Sequence, residues 1–256
     1  MDAADAELAS DALWQGAPSA VSEEAAGAGR VRLIADVTDL AAVPSPWTPR
    51  VIEPDSAAHL DAWRAWARPQ RAGRRLVLQP AWLPGDADPD DLVVRLDPGR
   101  SFGSGSHPST RLVLAMLEDE LRAGDRVLDV GCGSGVLAVA ACRLGAASAT
   151  AIDVDPDAPA VTDRNAQANG VASLVHASTT PLAEVTGAFD VVVANIGRRV
   201  LLDLAEPLRA RLAPGGRLVL AGVLDAQVDE VVAAHRPCTE VGRRSADGWS
   251  VVLLRG

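Results

Sequence analysis

A glycine-rich turn with an acidic residue beside it is the most chemically suggestive feature of the sequence. Gly131, Gly133 and Gly135 come directly after the strand-like run Arg126–Val130 and open a helical pattern. Glycine permits the sharp bend, lets the backbone approach a ligand closely and allows the helix to pack against the strand. Asp129 precedes the first glycine by two positions, where its carboxylate can order the turn and face a cationic part of a ligand. These residues form a candidate binding site, although a tight turn without a ligand has the same pattern.

Two further polar residues stand at the ends of predicted strands. Asp153 follows the run Ala149–Ile152, 22 positions after the first glycine of the turn (153 − 131), where an acidic side chain can accept both hydroxyls of a ribose. Asn195 follows the apolar run Asp190–Ala194, and its amide offers an acceptor to an amine substrate and a donor to a cofactor. Ligands of open α/β sheets bind outside the carboxyl ends of the strands. A turn residue and a helix cap remain the alternatives for these two positions.

The segment 102–110 alternates glycine with serine immediately before a helix that begins with proline. Such a loop is flexible enough to close over a ligand, and the hydroxyl of Thr110 lies at the start of the helix. We assign Phe102 and Gly103 of this loop to the cofactor site. His107 could act as a base, although a single loop histidine is more often solvated, and the whole segment could be only a capped helix start.

The spacing of the glycines separates two classes of cofactor. The turn reads G-x-G-x-G, whereas nicotinamide-dependent dehydrogenases carry G-x-G-x-x-G. Together with the position of Asp129, this spacing disfavours a dehydrogenase.

The three cysteines and four histidines have no metal-ligand spacing, so we expect no metal.

The elements that position these residues alternate regularly in the second half of the chain. The patterns predict helices over 108–121, 135–144, 157–168, 198–211 and 225–235, and strands over 126–130, 149–152, 173–177, 190–194, 217–221, 238–244 and 249–254. Strands that alternate with helices imply crossover connections. We therefore predict an α/β fold with a mostly parallel, doubly wound sheet of seven strands.

The first part of the chain is organised differently. Residues 1–57 are rich in alanine and acidic side chains, with a predicted helix near 7–15 and a strand at Val31–Ala35. Residues 58–95 read as a linker with a short helix around Trp63 and strand-like runs at 75–79 and 92–96. Residues 96–256 form the catalytic domain in this interpretation.

Charge and composition limit the partners. The formal net charge is −10, which argues against direct nucleic-acid binding and suits a small cofactor or a basic protein partner. No apolar run reaches the roughly 18 residues that a membrane span needs. The acidic first residues differ from a signal peptide, and the sparse cysteines are typical of a reducing compartment, so we expect a cytoplasmic location without a membrane partner.

Four segments closely resemble the PrmA family of class I, Rossmann-like methyltransferases, which methylate amino groups of ribosomal protein eleven of the large subunit. These are Leu96–Thr110, Asp129–Gly135, Ala151–Pro156 and Val193–Ile196. The resemblance covers about residues 58–256. It implies S-adenosylmethionine as the cofactor, S-adenosylhomocysteine as the product, and contacts to the cofactor from Thr110, Gly131, Asp153 and Asn195.

The resemblance also implies a role for the first domain. In the family a small ferredoxin-like α+β domain precedes the catalytic one and recognises the ribosomal substrate. Residues 1–57 would be a reduced version of it, because only fragments such as Leu13–Ala17 match. The family usually has leucine where this chain has Gly197, so the wall that faces the substrate is expected to be looser.

The expected reaction is the attack of an amine, such as a lysine side chain of the protein substrate, on the methyl group of a sulfonium ion. Tyrosine is absent and no dedicated base is evident, so our hypothesis is that Asn195 orients the amine while water takes the proton. Two alternatives stay open: methylation of another protein or a small molecule, and a catalytically silent module that binds S-adenosylmethionine.

Overall fold

The computed structural model describes residues 21–25, 30–35, 67–85, 88–97, 105 and 107–256. Contacts between Cα atoms divide the chain into two compact units, Met1–Asp55 and Ser56–Gly256. The three-part division that the sequence suggested, at residues 57 and 95, stays a prediction. The predicted helices near residues 7–15 and around Trp63 lie outside the described residues, as do Phe102 and Gly103.

The described part of the first unit is an antiparallel hairpin. Strand β1 (Val21–Ala25) pairs with β2 (Val31–Ala35), and Val21 lies opposite Ala35. The sequence predicted β2 at these bounds but missed β1. The reason is that Ser22, Glu23 and Glu24 leave β1 with little of the apolar pattern that indicates a strand.

The second unit begins, in its described residues, with a three-stranded sheet. Strand β3 (Gln70–Arg71) is antiparallel to β4 (Leu76–Pro80), and β4 is parallel to β5 (Leu92–Leu96). Four of their apolar side chains belong to the same hydrophobic cluster as the large sheet that follows: Leu76, Leu78, Val94 and Leu96. The segment predicted as a linker thus contains strands that pack into the core.

The larger sheet has seven strands in the order β8-β7-β6-β9-β10-β12-β11. Five neighbouring strands run parallel, and β12 pairs antiparallel with both β10 and β11. Their bounds are β6 Arg126–Val130, β7 Ser148–Ile152, β8 Val175–Ser178, β9 Phe189–Asn195, β10 Leu212–Leu224, β11 Thr239–Ala246 and β12 Trp249–Arg255. The predicted seven-stranded, mostly parallel sheet is confirmed.

Helices cover both faces of this sheet because alternate side chains of each strand point to opposite sides. The helices are α1 Pro108–Glu120, α2 Val136–Arg143, α3 Ala158–Ala168, α4 Arg198–Asp203, α5 Ala205–Ala210 and α6 Val228–Ala234. Apolar side chains of α1, α2 and α3 join one hydrophobic cluster, with Val191 and Val193 of the sheet. Side chains of α4, α5 and α6 join the other, with Val192 and Ala194.

Two predicted elements were wrong in detail. The single helix expected over 198–211 is two short helices that meet at Leu204. The strand expected over 217–221 is part of the longer strand β10, which begins at Leu212 and whose pairing with β9 is irregular between Leu212 and Arg217. In the described part of the chain, no helix combines the length and apolar character that crossing a membrane requires.

Candidate cofactor and active site

The site lies where the strand order reverses. Strands β6 and β9 are neighbours, and the chain proceeds from β6 toward one edge of the sheet and from β9 toward the other. This arrangement leaves a crevice at the carboxyl ends of these two strands. Asp129 is the fourth residue of β6, Asn195 is the last residue of β9, and Asp153 directly follows β7. The topology therefore brings the three polar positions to one edge of the sheet.

The glycine turn has a backbone that only glycine adopts easily. Gly131, Gly133 and Gly135 have φ angles of 77°, 51° and 75°, in the left-handed region. A Cβ atom at Gly131 would lie 2.3 Å from Cγ2 of Ile196, and one at Gly135 would lie 2.5 Å from Cγ2 of Thr162. At Gly131 and Gly135 both conformation and space thus disfavour larger residues, and the tight turn after β6 is as the spacing predicted.

Asp153 is held against this turn. Its Oδ2 accepts a hydrogen bond from the backbone N–H of Gly133 at 2.7 Å, and its Oδ1 accepts one from the backbone N–H of Asp155 at 2.9 Å. Each carboxylate oxygen has a second lone pair, so both can also accept ribose hydroxyls. The next side chain, Val154, is 98% exposed, which provides an apolar surface beside the carboxylate.

Asp129 lies beneath the turn and is fully buried. Its Oδ2 accepts a hydrogen bond from the N–H of Ala138 at 3.1 Å, in the first turn of α2. Its Oδ1 has no hydrogen-bond partner in the described part of the structure. Burial raises the pKa of Asp129 to about 7, with a smaller contribution from the charge of Asp153. The carboxylate orders the turn through α2, while its direct contact with a ligand stays a prediction.

Asn195 and Thr110 meet although 85 residues separate them in sequence. The Nδ2 atom of Asn195 donates to Oγ1 of Thr110 at 3.2 Å, and Thr110, in the first turn of α1, is only 1% exposed. Because the oxygen and nitrogen of an amide group diverge, this bond directs Oδ1 of Asn195 away from Thr110. The amide is therefore held in one orientation at the carboxyl end of β9.

His107 caps helix α1 and is not a solvated loop histidine, so that expectation was wrong. Its Nδ1 accepts a hydrogen bond from the N–H of Ser109 at 3.3 Å, and its ring meets the ring of Trp249 edge-on with centroids 4.5 Å apart. Burial lowers its pKa, and the nearby charge of Arg111 lowers it further. Nothing in this arrangement singles out His107 as a base.

Sequence reasoning missed two polar side chains of α3 that form hydrogen bonds to the backbone of the glycine turn. Thr162 is fully buried and donates through Oγ1 to the carbonyl oxygen of Gly133 at 3.3 Å. Asn165 is 2% exposed and donates through Nδ2 to the carbonyl oxygen of Ser134 at 2.9 Å. Both share the buried face of α3 with Val161 and Ala166. Polar residues on the apolar face of a helical pattern were the signal that could have revealed them.

Comparisons with known proteins match the part of the chain that forms this site. The family model "Ribosomal protein L11 methyltransferase (PrmA)" matches residues 47–255. The chain belongs to this family. A relative named ribosomal protein L11 methyltransferase from Geobacter metallireducens is 50% identical over 219 residues, which cover 84% of this chain and 71% of that protein. One of the same name from Geobacter sulfurreducens is 48% identical over 217 residues, with the same coverage.

Solved structures agree with the family. The crystal structure of ribosomal protein L11 methylase from Lactobacillus delbrueckii subsp. bulgaricus superposes with a TM-score of 0.68 at 30% identity, covering 74% of this chain and 97% of that one. A putative S-adenosylmethionine-dependent methyltransferase from Streptococcus mutans, at 14% identity and a TM-score of 0.52, shares the fold over 59% of this chain and 50% of its own. The fold is that of the Rossmann-like class I methyltransferases, as predicted.

Proposed function

We propose that this protein transfers methyl groups from S-adenosylmethionine to amino groups of ribosomal protein L11. The observation that carries the proposal is membership of the PrmA family over residues 47–255. Two relatives that share about half of their aligned residues with the chain carry the name of that activity. The polar groups gathered at the carboxyl edge of the sheet support the same reaction.

The residues of the site fit this cofactor. The glycine turn is shaped for the close approach of a ligand, Asp153 presents two acceptor oxygens for the ribose, and the exposed Val154 offers an apolar surface for the adenine. The unpartnered Oδ1 of the buried Asp129 leaves an acceptor oxygen for a cationic ligand, whose positive charge would in turn favour ionisation of this carboxyl group. The set that we assign to the cofactor is completed by Thr110, Gly131, Gly133, Gly135, Asn195, Phe102 and Gly103.

Bound S-adenosylmethionine supplies a methyl group on a positively charged sulfur, which leaves as S-adenosylhomocysteine when the amine forms its new bond to carbon. The protein's part is to orient the amine and exclude water. Asn195, held by Thr110, directs its carbonyl oxygen toward the acceptor amine. A lysine amine has a pKa of about 10.4 in water and must lose a proton first, which a desolvated site favours. Water takes that proton.

The substrate assignment agrees with the charge of the chain. With 34 acidic and 24 basic side chains and a formal net charge of −10, the protein suits a basic protein partner and not a nucleic acid or an anionic membrane. We assign recognition of the substrate to residues 1–57, ahead of the linker 58–95 and the methyltransferase domain 96–256. The location is then the cytoplasm, where ribosomal proteins are made.

The test is mass spectrometry of ribosomal protein L11 from the same organism after incubation with the enzyme and S-adenosylmethionine. We expect mass steps of one methyl group each, lost in Asp153→Ala and strongly reduced in Asn195→Ala. The matched control is Asp157→Ala, because Asp157 is an exposed carboxylate four residues away whose side chain makes no capping bond.

Each outcome separates one part of the proposal from the rest. Unmodified L11 together with clear cofactor binding would exclude this substrate and redirect the search to another protein or a small molecule. Cofactor binding without turnover on any acceptor would indicate a silent binding module. Unchanged turnover in Asn195→Ala would refute the role of its amide in orienting the amine.

A further inference from the structure

Helix α3 presents two buried asparagines one helical turn apart. Asn165 is 2% exposed, and Asn169, at the C-terminal cap, is 8% exposed. A buried amide must satisfy its donors and acceptor within the protein, because an unpaired group costs about 1–3 kcal/mol. The partners of these two side chains therefore define what the helix holds in place.

Both asparagines pair with the backbone at the edge of β5. Oδ1 of Asn169 accepts the N–H of Arg95 at 2.8 Å, and its Nδ2 donates to the carbonyl oxygen of Arg95 at 2.7 Å. Asn165 makes the same two bonds to Asp97, at 3.0 and 3.1 Å.

The spacings of the two elements match. Four helical residues rise about 6 Å, and two strand residues rise about 6.6 Å. The two amides thus act as a neighbouring strand for the edge of β5, opposite its partner β4.

The two asparagines differ in their remaining bond. Nδ2 of Asn165 also donates to the carbonyl oxygen of Ser134, in the middle of the glycine turn, at 2.9 Å. Nδ2 of Asn169 instead donates to the carbonyl oxygen of Asn165, within its own helix, at 2.7 Å. One side chain therefore joins β5 to the turn, and the other joins β5 only to the helix.

We infer that Asn165 is a positioning residue for cofactor binding. Its amide holds Ser134 of the glycine turn and Asp97, which directly follows β5, in one fixed relation. The glycine turn belongs to the cofactor site under the function proposed above, on which this inference rests. A second side chain of α3 holds the same turn, because the hydroxyl group of Thr162 donates a hydrogen bond to the carbonyl oxygen of Gly133.

The chain offers a matched pair of variants to test this. In Asn165→Asp and Asn169→Asp the Nδ2 atom becomes an oxygen, so each variant loses two donated hydrogen bonds and sets a carboxylate oxygen against two carbonyl oxygens. We expect similar losses of thermal stability. We expect S-adenosylhomocysteine affinity, measured by calorimetry, to fall about tenfold in Asn165→Asp and to change less than about twofold in Asn169→Asp.

Kinetics separate positioning from general destabilisation. In Asn165→Asp the KM for S-adenosylmethionine should rise by the same factor with kcat nearly unchanged, because the amide touches neither reacting atom. The second pair, Asn165→Ala and Asn169→Ala, adds no charge and serves if the aspartates do not fold. Equal affinities in the two members of a pair would overturn the inference. Absence of S-adenosylhomocysteine binding by the unaltered protein would instead refute the proposed cofactor, and the inference with it.

Discussion

Replacement of Asp129 by asparagine should make the free energy of unfolding less dependent on pH. Asp129 is fully buried, and its pKa is raised from 3.8 to about 7 mainly by that burial. Between these two values the folded state keeps a proton on the carboxyl group that the unfolded state has lost. Stability from this group is therefore fully present below pH 3.8 and declines as the pH rises to about 7. Asparagine has the same shape and does not titrate.

The size of the effect follows from the pKa difference. One unit corresponds to about 1.36 kcal/mol, so a shift of about three units amounts to about 4 kcal/mol over the whole window. Between pH 5 and pH 8 the unaltered protein should lose about 3 kcal/mol through Asp129. In the Asp129→Asn variant the amide oxygen would still accept the N–H of Ala138, so the fold should persist.

The assay is urea unfolding of both proteins at pH 5, 6, 7 and 8, reported as the difference in free energy of unfolding at each pH. That difference should favour Asp129→Asn increasingly as the pH rises, and level off above about pH 7. Asp190→Asn provides the control. The N–H of Arg126 bonds to Asp190 and holds the pKa of that carboxyl below 3.8, so its effect should be constant from pH 5 to pH 8.

A difference that stays constant across pH 5–8 would refute the reasoning. It would mean that Asp129 is already ionised in the folded protein, and that something other than burial decides its charge. Such a result would mean that the unpartnered Oδ1 carries negative charge without the energetic cost that we assign to its burial.

Two further predictions concern stability. Gly135→Ala should lower the free energy of unfolding by about 1–2 kcal/mol because the backbone there is left-handed, and by roughly a further 1–3 kcal/mol because the new Cβ would lie too close to Thr162. Gly170→Ala is the control, because Gly170 has a φ of 69° and open space around it and should show only the backbone cost. Equal losses of the two variants in thermal unfolding would contradict this prediction. In urea unfolding, Arg217→Met should lower stability by about 3–5 kcal/mol because it removes the ion-pair partner of the buried Asp125. The control Arg199→Met removes an exposed ion pair and should change stability by less than about 0.5 kcal/mol. A small effect at Arg217 would argue against a stabilising buried ion pair.

Sequence patterns predicted the larger sheet well because its central strands are buried on both faces. Strand β6 of this sheet has the predicted bounds, as do β2 and β5 outside it, and the glycine turn follows β6 as its spacing indicated. Apolar runs, turn residues and helical periodicity are local properties, so they can be read without knowledge of distant contacts. The break at Leu204 and the hairpin strand β1 were missed because their local patterns are weak.

The sequence by itself determined the sheet, the family and the list of polar residues at the strand ends. Only the tertiary structure decided how those residues act on one another. The bond between Asn195 and Thr110 spans 85 residues, and the bonds of Asn165 to Asp97 and Ser134 span 68 and 31. The burial of Asp129, which sets its pKa, likewise depends on how the turn and α2 cover it. Such contacts arise when distant segments pack together, and no local pattern records them.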